Sequence, residues 1–508
     1  MGKVIIDGNS LTINDVVNVA RKGYIVELSE DAILRVKKAR ELVDKFVENE
    51  KVVYGITTGF GKFSEMVISK EETRQLQKNL IMSHSCGVGK PLSEEVVRAV
   101  MLLRANALAK GNSGIRLSTL QTLIDMLNKG VHPIIPEKGS LGASGDLAPL
   151  SHMVLVLLGE GEAIYRGERL SGRDAMNKAG IQTVELTSKE GLALINGTQI
   201  MTAIGALAVY DAKQLMKIAD ISAALTIEAL NGIIDAFDER VHKVRPHLGQ
   251  IRTASNIRRL CENSQNITRQ GEIRVQDAYT LRCIPQIHGA SKDAIKYVEE
   301  KISIEINSAT DNPLIFSDDE FVVSGGNFHG QPIALAMDFL GIALSEIANS
   351  SERRIERLVN PQLSGLPAFL AEKGGLNSGF MIAQYTAASL VSENKVLAHP
   401  ASVDSIPSSA NQEDHVSMGT IAARKARDIL FNVQNVLAIE MIAASQAIDF
   451  NGSEKLGKGT RAAYNKIREN IAHVDKDRIL YKDINKSFEL ISSGDILREV
   501  ESYIGELE

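Results

Sequence analysis

The second half of this 508-residue chain carries long stretches of apolar residues at helical spacing. In residues 336–358, Leu340, Leu344, Ile347, Ile355 and Leu358 fall at intervals of three, four or eight. That is the period of one helical face. Residues 200–236, 377–397 and 418–447 repeat the pattern. The last of these, with Ile421, Ile429, Val433, Val436, Ile439 and Ile442, is apolar on more than one side. A helix like that is buried in a bundle or at a subunit contact. Aromatic residues make up only 5% and Trp is absent, which favours helices over sheets. The pattern predicts a mainly α chain. Residues 1–200 form a smaller, mixed N-terminal domain, and residues 201–508 a long central helical bundle with C-terminal helices.

The N-terminal part reads differently. Short β-like pieces at 4–6 and 25–28 surround a turn region at Asn9 and Asn14. A helix over 30–50 is opened by Ser29, with Glu30 and Asp31 in its first turn. Residues 55–65, with Gly55, Gly59 and Gly61, read as a loop; 92–129 reads as helical with a break at 110–114. Polar, turn-rich segments near 159–190 and 245–272 read as loops or small excursions.

A net charge of −6 gives no basic face for nucleic acid. The first residues, with an acid at Asp7, do not read as a secretory signal. Apolar runs at 200–210 and 153–158 are too short to span a bilayer. Cys86, Cys261 and Cys283 are odd in number and widely spaced, so they suggest neither a metal pattern nor a disulfide framework. A reducing cytoplasm is the expected location. The histidines, among them His84, His132, His152, His288, His329 and His415, are scattered without an HxH or HExxH pair. No catalytic metal is expected.

Residues 139–149 read Gly-Ser-Leu-Gly-Ala-Ser-Gly-Asp-Leu-Ala-Pro. At their centre lie Ala143, Ser144 and Gly145. A ring closes if the amide nitrogen of Gly145 attacks the carbonyl carbon of Ala143. A planar trans peptide keeps those atoms apart, so the backbone must bend, and Gly tolerates such dihedrals. Loss of water then leaves Ser144 with an exocyclic methylidene carbon, an electrophile that no ordinary side chain offers. Gly139 and Gly142 permit close approach of neighbouring groups, and Asp146 is placed to handle protons. A small-residue turn into a helix at 147–157 is the plainer reading. A phosphate loop is a weaker one, because GxxxxGK[ST] and GxGxxG are both absent.

Further motifs follow in order: Tyr54 in Val-Tyr-Gly-Ile-Thr-Thr-Gly, Asn196 in Ile-Asn-Gly-Thr, Gln276 to Arg282, Phe328 in Asn-Phe-His-Gly, and Asn411-Gln412-Glu413. Gln276, Tyr279 and Arg282 recur every three residues and so would share a helical face. Arg282 suits bidentate binding of a carboxylate. With these motifs, the chain from Tyr54 to about residue 450 resembles the aromatic amino acid ammonia-lyases, the family of histidine, phenylalanine and tyrosine lyases and aminomutases.

The resemblance implies a fumarase/aspartase-like lyase architecture, although the Gly-Ser-Ser-rich signature loop of the fumarase-like lyases is missing. It implies a methylidene-imidazolone formed autocatalytically, with Ala143 cross-linked to Gly145 and Ser144 dehydrated, and no external cofactor. It implies a homotetramer with active sites shared between subunits. Tyr54 matches a general base at the β-carbon; with an ordinary pKa of ~10 it needs positive charge or donors nearby. Arg282 matches the residue that holds the substrate carboxylate. Tyr279 lies by the electrophile, Gln276 in the polar lining, Asn196 near the substrate amine and carboxylate, and Phe328 by the ring.

Two places speak to the substrate side chain. Phenylalanine enzymes of the family tend to carry Phe-Leu where this chain has Ser83-His84, and tyrosine enzymes His-Leu. Ser-His resembles the histidine enzymes. Glu413 can accept a hydrogen bond from an imidazole N–H, whereas a buried carboxylate facing a phenyl ring would be desolvated without compensation. Gln412 beside it counts with the substrate-binding residues, and Met381 packs on the ring. The implied reaction is elimination of ammonia from L-histidine, giving trans-urocanate. Attack by the amine or by the imidazole ring, and Tyr54 or Glu413 as base, both stay open. The rivals are tyrosine or phenylalanine as substrate, an aminomutase, or a non-catalytic scaffold relative. The presence of Ser144, Tyr54 and Arg282 speaks against the last.

Overall fold

The computed structural model of the chain describes residues 2–49, 58 and 72–508. The fold is mostly helical, as the periodicity predicts. Contacts group the chain into two units, each assembled from three separated stretches rather than divided by one cut at 200/201.

The first unit, Met1–Tyr210 with Glu299–Asp338 and Pro400–Arg424, holds every strand among the described residues. Lys3–Ile6 pairs in parallel with Ile25–Leu28, Lys3 opposite Ile25 and Ile6 opposite Leu28. Between them runs a helix, Ile13–Lys22, where the sequence reading expects a turn. Thr12 opens it with a capping box: its hydroxyl accepts the Asp15 N–H (3.1 Å), and its own N–H donates to the Asp15 carboxylate (3.0 Å). Val16, Val17, Val19 and Ala20 are buried, and Gly23 at φ 67° ends the helix. Asn14 is simply an exposed residue of its first turn.

The expected helix after Ser29 is Glu30–Glu48, and the Ser29 hydroxyl accepts the Ala32 N–H. Its face of Ala39, Leu42, Val43 and Phe46 packs on Ile315. Ile315 lies in the hairpin Leu314–Phe316 with Phe321–Val323. The break at 110–114 separates Glu94–Ala109 from Leu117–Lys129. Residues 159–190 hold a hairpin, Glu162–Tyr165 with Glu168–Ser171, joined to Val131–Pro133, and a short helix, Gly172–Lys178.

The second unit, Asp211–Val298 with Phe339–His399 and Lys425–Glu508, is helical. Four long helices contribute residues to both units: Gln199–Ala229, Ile284–Glu305, Gln331–Val359 and Gly419–Asn451. In the last, Val433, Val436, Leu437, Ile439 and Ile442 are buried; each contributes about 1.5–3 kcal/mol by leaving water. Gln331–Val359 has the length and apolarity of a membrane span, yet 72% of its apolar window is buried within the protein. A polar knot crosses these helices. The Glu440 carboxylate accepts two bonds from Arg354 (2.5 and 2.9 Å) and one each from Ser351 and Thr226.

The segment 245–272, read from sequence as loop, contains the helix Leu248–Leu260. Its polar surface hides the signal. Only Ala254, Ile257 and Leu260 mark the buried apolar side, at three-residue steps.

Candidate active site

The Ala143-Ser144-Gly145 turn lies in the first unit between two clamps. On one side the N–H groups of Met418 and Ser417 donate to the carbonyls of Leu141 (3.1 Å) and Gly142 (3.2 Å). On the other, Gly145 bridges Gly197, and the Asp146 N–H donates to the Gly197 carbonyl at 2.7 Å. Both approaches need glycine. Gly142 sits at φ 70°, and a Cβ there would lie 2.2 Å from the Ser417 hydroxyl. Gly145 sits at φ 71°, and a Cβ there would lie 2.2 Å from the Gly197 oxygen.

Asp146 anchors the turn from beneath. Its buried carboxylate accepts the N–H groups of Ile200 (2.9 Å) and Met201 (3.1 Å), which open the helix Gln199–Ala229. It also accepts the hydroxyls of Ser140 (2.7 Å) and Thr420. The helix N-terminus favours this charge. Burial nevertheless raises the Asp146 pKa above the ordinary carboxylate value, with the four donors opposing the rise.

Asn196, buried at the end of Glu190–Ile195, aims its carboxamide at the turn. Its Nδ2 donates to the Ser144 carbonyl (2.9 Å) and to the Ser144 hydroxyl (2.7 Å). These residues fit a methylidene-imidazolone. The backbone is already bent at two glycines that no Cβ could replace. The hydroxyl that ring formation must expel already accepts a hydrogen bond.

His84 and Glu413 meet electrostatically in the same unit. His84 ends the helix Thr73–His84, its Nδ1 3.0 Å from the Ser83 hydroxyl. Burial lowers the His84 pKa; the Leu80 carbonyl and the Glu413 charge work to raise it. Glu413 accepts the Ser408 hydroxyl at 3.0 Å and exchanges backbone bonds with Ser408. The turn between them is left-handed at three consecutive non-glycine residues: Ser409 (φ 50°), Ala410 (φ 54°) and Asn411 (φ 65°). Such residues cost about 1–3 kcal/mol each and cluster where function demands them. Gln412 is exposed. Phe328 is half-buried, next to His329, whose ring stacks on His415 at 5.6 Å. Tyr54 lies outside the described residues, as do Gly55, Gly59 and Gly61 of the glycine loop.

The second unit carries the remaining candidates. Arg282 lies 4.7 Å over the Tyr279 ring and donates from Nε to the Asp277 carbonyl at 2.9 Å. Tyr279 is 69% exposed. The shared helical face expected for Gln276, Tyr279 and Arg282 does not form. The helix is only Tyr279–Arg282, and Gln276 precedes it, exposed and non-helical. Asp277 is the reason: its buried carboxylate accepts the Ile233 N–H at 2.6 Å and pairs with Arg274, which ties 276–278 into an extended approach. Met381 begins Met381–Leu397, half-buried, after a turn whose Ser378 and Gly379 N–H groups donate to Asp477.

Sequence reasoning missed Ser417 and Met418, which sit 275 residues or more from the turn they clamp. It also missed Ser140, Thr420 and Ser408. The small residue at Gly142 is the local hint of the Ser417 contact.

Comparison with known proteins extends over the whole chain. A family model described as aromatic amino acid lyase matches residues 11–469. The histidine ammonia-lyase of Alkaliphilus oremlandii (strain OhILAs) is 72% identical over 504 residues, 99% of either chain. The crystal structure of histidine ammonia-lyase from Trypanosoma cruzi aligns with a TM-score of 0.93 at 44% identity, covering 99% of this chain and 96% of that one. Tyrosine aminomutase from Streptomyces globisporus aligns with a TM-score of 0.96 at 40% identity over 100% of both. A bent Ala-Ser-Gly turn on a helical scaffold, matched along nearly its full length, has one reading: the chain belongs to the aromatic amino acid lyase family.

Proposed function

We propose that this chain is a carbon–nitrogen lyase that eliminates ammonia from L-histidine to give trans-urocanate. The observation that carries the substrate is that His84 and Glu413, two polar groups suited to an imidazole, lie within electrostatic reach of each other in the unit that holds the Ser144 turn. Members of the family use a methylidene-imidazolone group. Formed autocatalytically from Ala143, Ser144 and Gly145, it would supply an electrophilic carbon that activates the substrate for loss of ammonia.

The chain's own residues do the rest. Arg282 holds the substrate carboxylate through its planar fork, helped by Asn196. Gln276 and Gln412 add polar contacts, Tyr279 serves the electrophile, and Phe328 and Met381 serve the ring. Burial keeps His84 biased toward its neutral form, so its ring nitrogens offer both a donor and an acceptor to an imidazole. Glu413 accepts from the imidazole N–H. Tyr54 or Glu413 removes the β-proton. The reaction needs no metal. A homotetramer with shared sites agrees with the large apolar side chains exposed on the second unit, such as Phe339, Tyr385 and Phe431. Three free cysteines suit a reducing cytoplasm.

Incubation with L-histidine while following urocanate absorbance tests the reading, with L-tyrosine and L-phenylalanine in parallel. Urocanate from histidine alone is expected. Coumarate or cinnamate instead would transfer the chain to another substrate. Ser144→Ala should fold and lose nearly all turnover; full activity in that variant refutes the electrophile.

A further inference from the structure

Asn196, whose side chain reaches Ser144, is itself held at its backbone by an arginine with unusual surroundings. Arg104 lies in the middle of the helix Glu94–Ala109 and is fully buried. Its Nη1 donates to the Asn196 carbonyl at 2.8 Å and to the Gln199 side-chain oxygen at 2.9 Å. Gln199 is fixed in turn by donating to the Thr310 hydroxyl at 2.7 Å. The guanidinium touches the chain where only glycine fits: a Cβ on Gly197 would lie 2.5 Å from Arg104 Nη1 and 2.4 Å from Gln199 Oε1.

This arrangement is costly. Arg104 Nε and Nη2 have no hydrogen-bond partner among the described residues. Burial lowers its pKa to about 10, against the pull of Asp311. Asp311 is already bonded to the buried Lys189 at 2.7 Å. Buried, half-satisfied charges are disfavoured unless they serve something. Here the fixed charge ends on the backbone of the one residue whose side chain donates to both oxygens of Ser144.

We propose that Arg104 is the positioning residue for ring formation at Ala143-Ser144-Gly145, acting through Asn196. The inference rests on the reading that the electrophile forms. In that step the Gly145 nitrogen bonds to the Ala143 carbonyl carbon. The Ala143 oxygen leaves as water with the Gly145 and Ser144 amide protons. The Ser144 hydroxyl leaves as a second water with the Ser144 Cα proton. Asn196 Nδ2 stabilises the departing hydroxyl and polarises the Ser144–Gly145 amide, which acidifies its N–H. Both effects need the carboxamide held in one orientation. Arg104 does this by pinning the Asn196 carbonyl from behind.

The test is the maturation rate of newly synthesised chain, followed by intact mass as the fraction that has lost two waters. The set is wild type, Arg104→Gln, Arg104→Lys, Asn196→Ala and the double variant Arg104→Gln/Asn196→Ala. Loss of one charge-assisted bond should slow maturation about tenfold or more in Arg104→Gln. Arg104→Lys, which keeps the charge without the fork, should recover part of that. The double variant should mature no more slowly than Asn196→Ala alone, because the two residues act on one step. Far-UV circular dichroism checks folding; if Arg104→Gln lacks the native signal, the same cycle is run with Arg104→Lys. Independent, multiplicative slowing in the cycle overturns the proposal, as does wild-type maturation in a folded Arg104 variant. A wild-type chain that loses no water overturns the electrophile itself, and this inference with it.

Discussion

The buried Glu228 makes the stability of the second unit depend on pH near neutrality. Its carboxyl lies in the helix Gln199–Ala229 and accepts the Thr460 hydroxyl at 2.6 Å and the Gly457 N–H at 3.2 Å from both oxygens. These groups open the helix Lys458–Asn470. Desolvation outweighs the donors and pushes the Glu228 pKa up to about 7 from an ordinary 4.5. A carboxyl whose folded pKa is raised stabilises the fold at low pH, and that stability is lost as pH rises through the folded value. With one pKa unit worth about 1.36 kcal/mol, a rise of about 2.5 units corresponds to about 3 kcal/mol between the two limits. Between pH 5 and pH 8 the wild type should therefore lose about 2–3 kcal/mol through this group. Glu228→Gln keeps an acceptor for Thr460 and Gly457 but cannot ionise, so it should lack this loss. Urea unfolding of both proteins at pH 5, 6, 7 and 8 measures it, with the difference between them isolating Glu228 from every other titrating group. Parallel pH profiles for the two proteins would refute the reasoning.

Other outcomes follow from the same geometry. Arg282→Lys should raise KM for histidine about 10–100-fold through loss of the bidentate fork, with little change in thermal stability. Arg354→Met should destabilise the fold by about 3–5 kcal/mol by stranding Glu440, and adding Glu440→Leu should restore most of that, as read by chemical denaturation. Glu413→Gln removes a charge that opposes the effect of burial on His84. His84 should then titrate lower by NMR, and histidine turnover should fall while the two-water loss stays complete.

Much of the fold is legible because it rests on local periodicity. The repeats at 336–358 and 418–447 become Gln331–Val359 and Gly419–Asn451, and the Ser29 cap opens Glu30–Glu48 where its hydroxyl predicts. The failures are local too. Asn9 and Asn14 read as a turn, but the Thr12–Asp15 capping box that brackets Asn14 starts a helix there. Leu248–Leu260 hides behind its charged surface. Gln276, Tyr279 and Arg282 recur every three residues, but the Asp277 carboxylate holds Gln276 outside the helix Tyr279–Arg282.

The chemistry divides along the same line. Ala143-Ser144-Gly145 is legible because ring closure demands that order of small residues in adjacent positions, and adjacency is what a sequence records. Ser83-His84 and Glu413 are legible as polar side chains suited to an imidazole. Nothing local says that Asn196 would reach Ser144, that Ser417 and Met418 would grip the turn, that Asp146 would sit on a helix N-terminus, or that Arg104 would lie buried behind them all. Those contacts join residues some 50 to 275 positions apart. A hydrogen bond a few ångströms long has no sequence signature when folding alone brings its ends together.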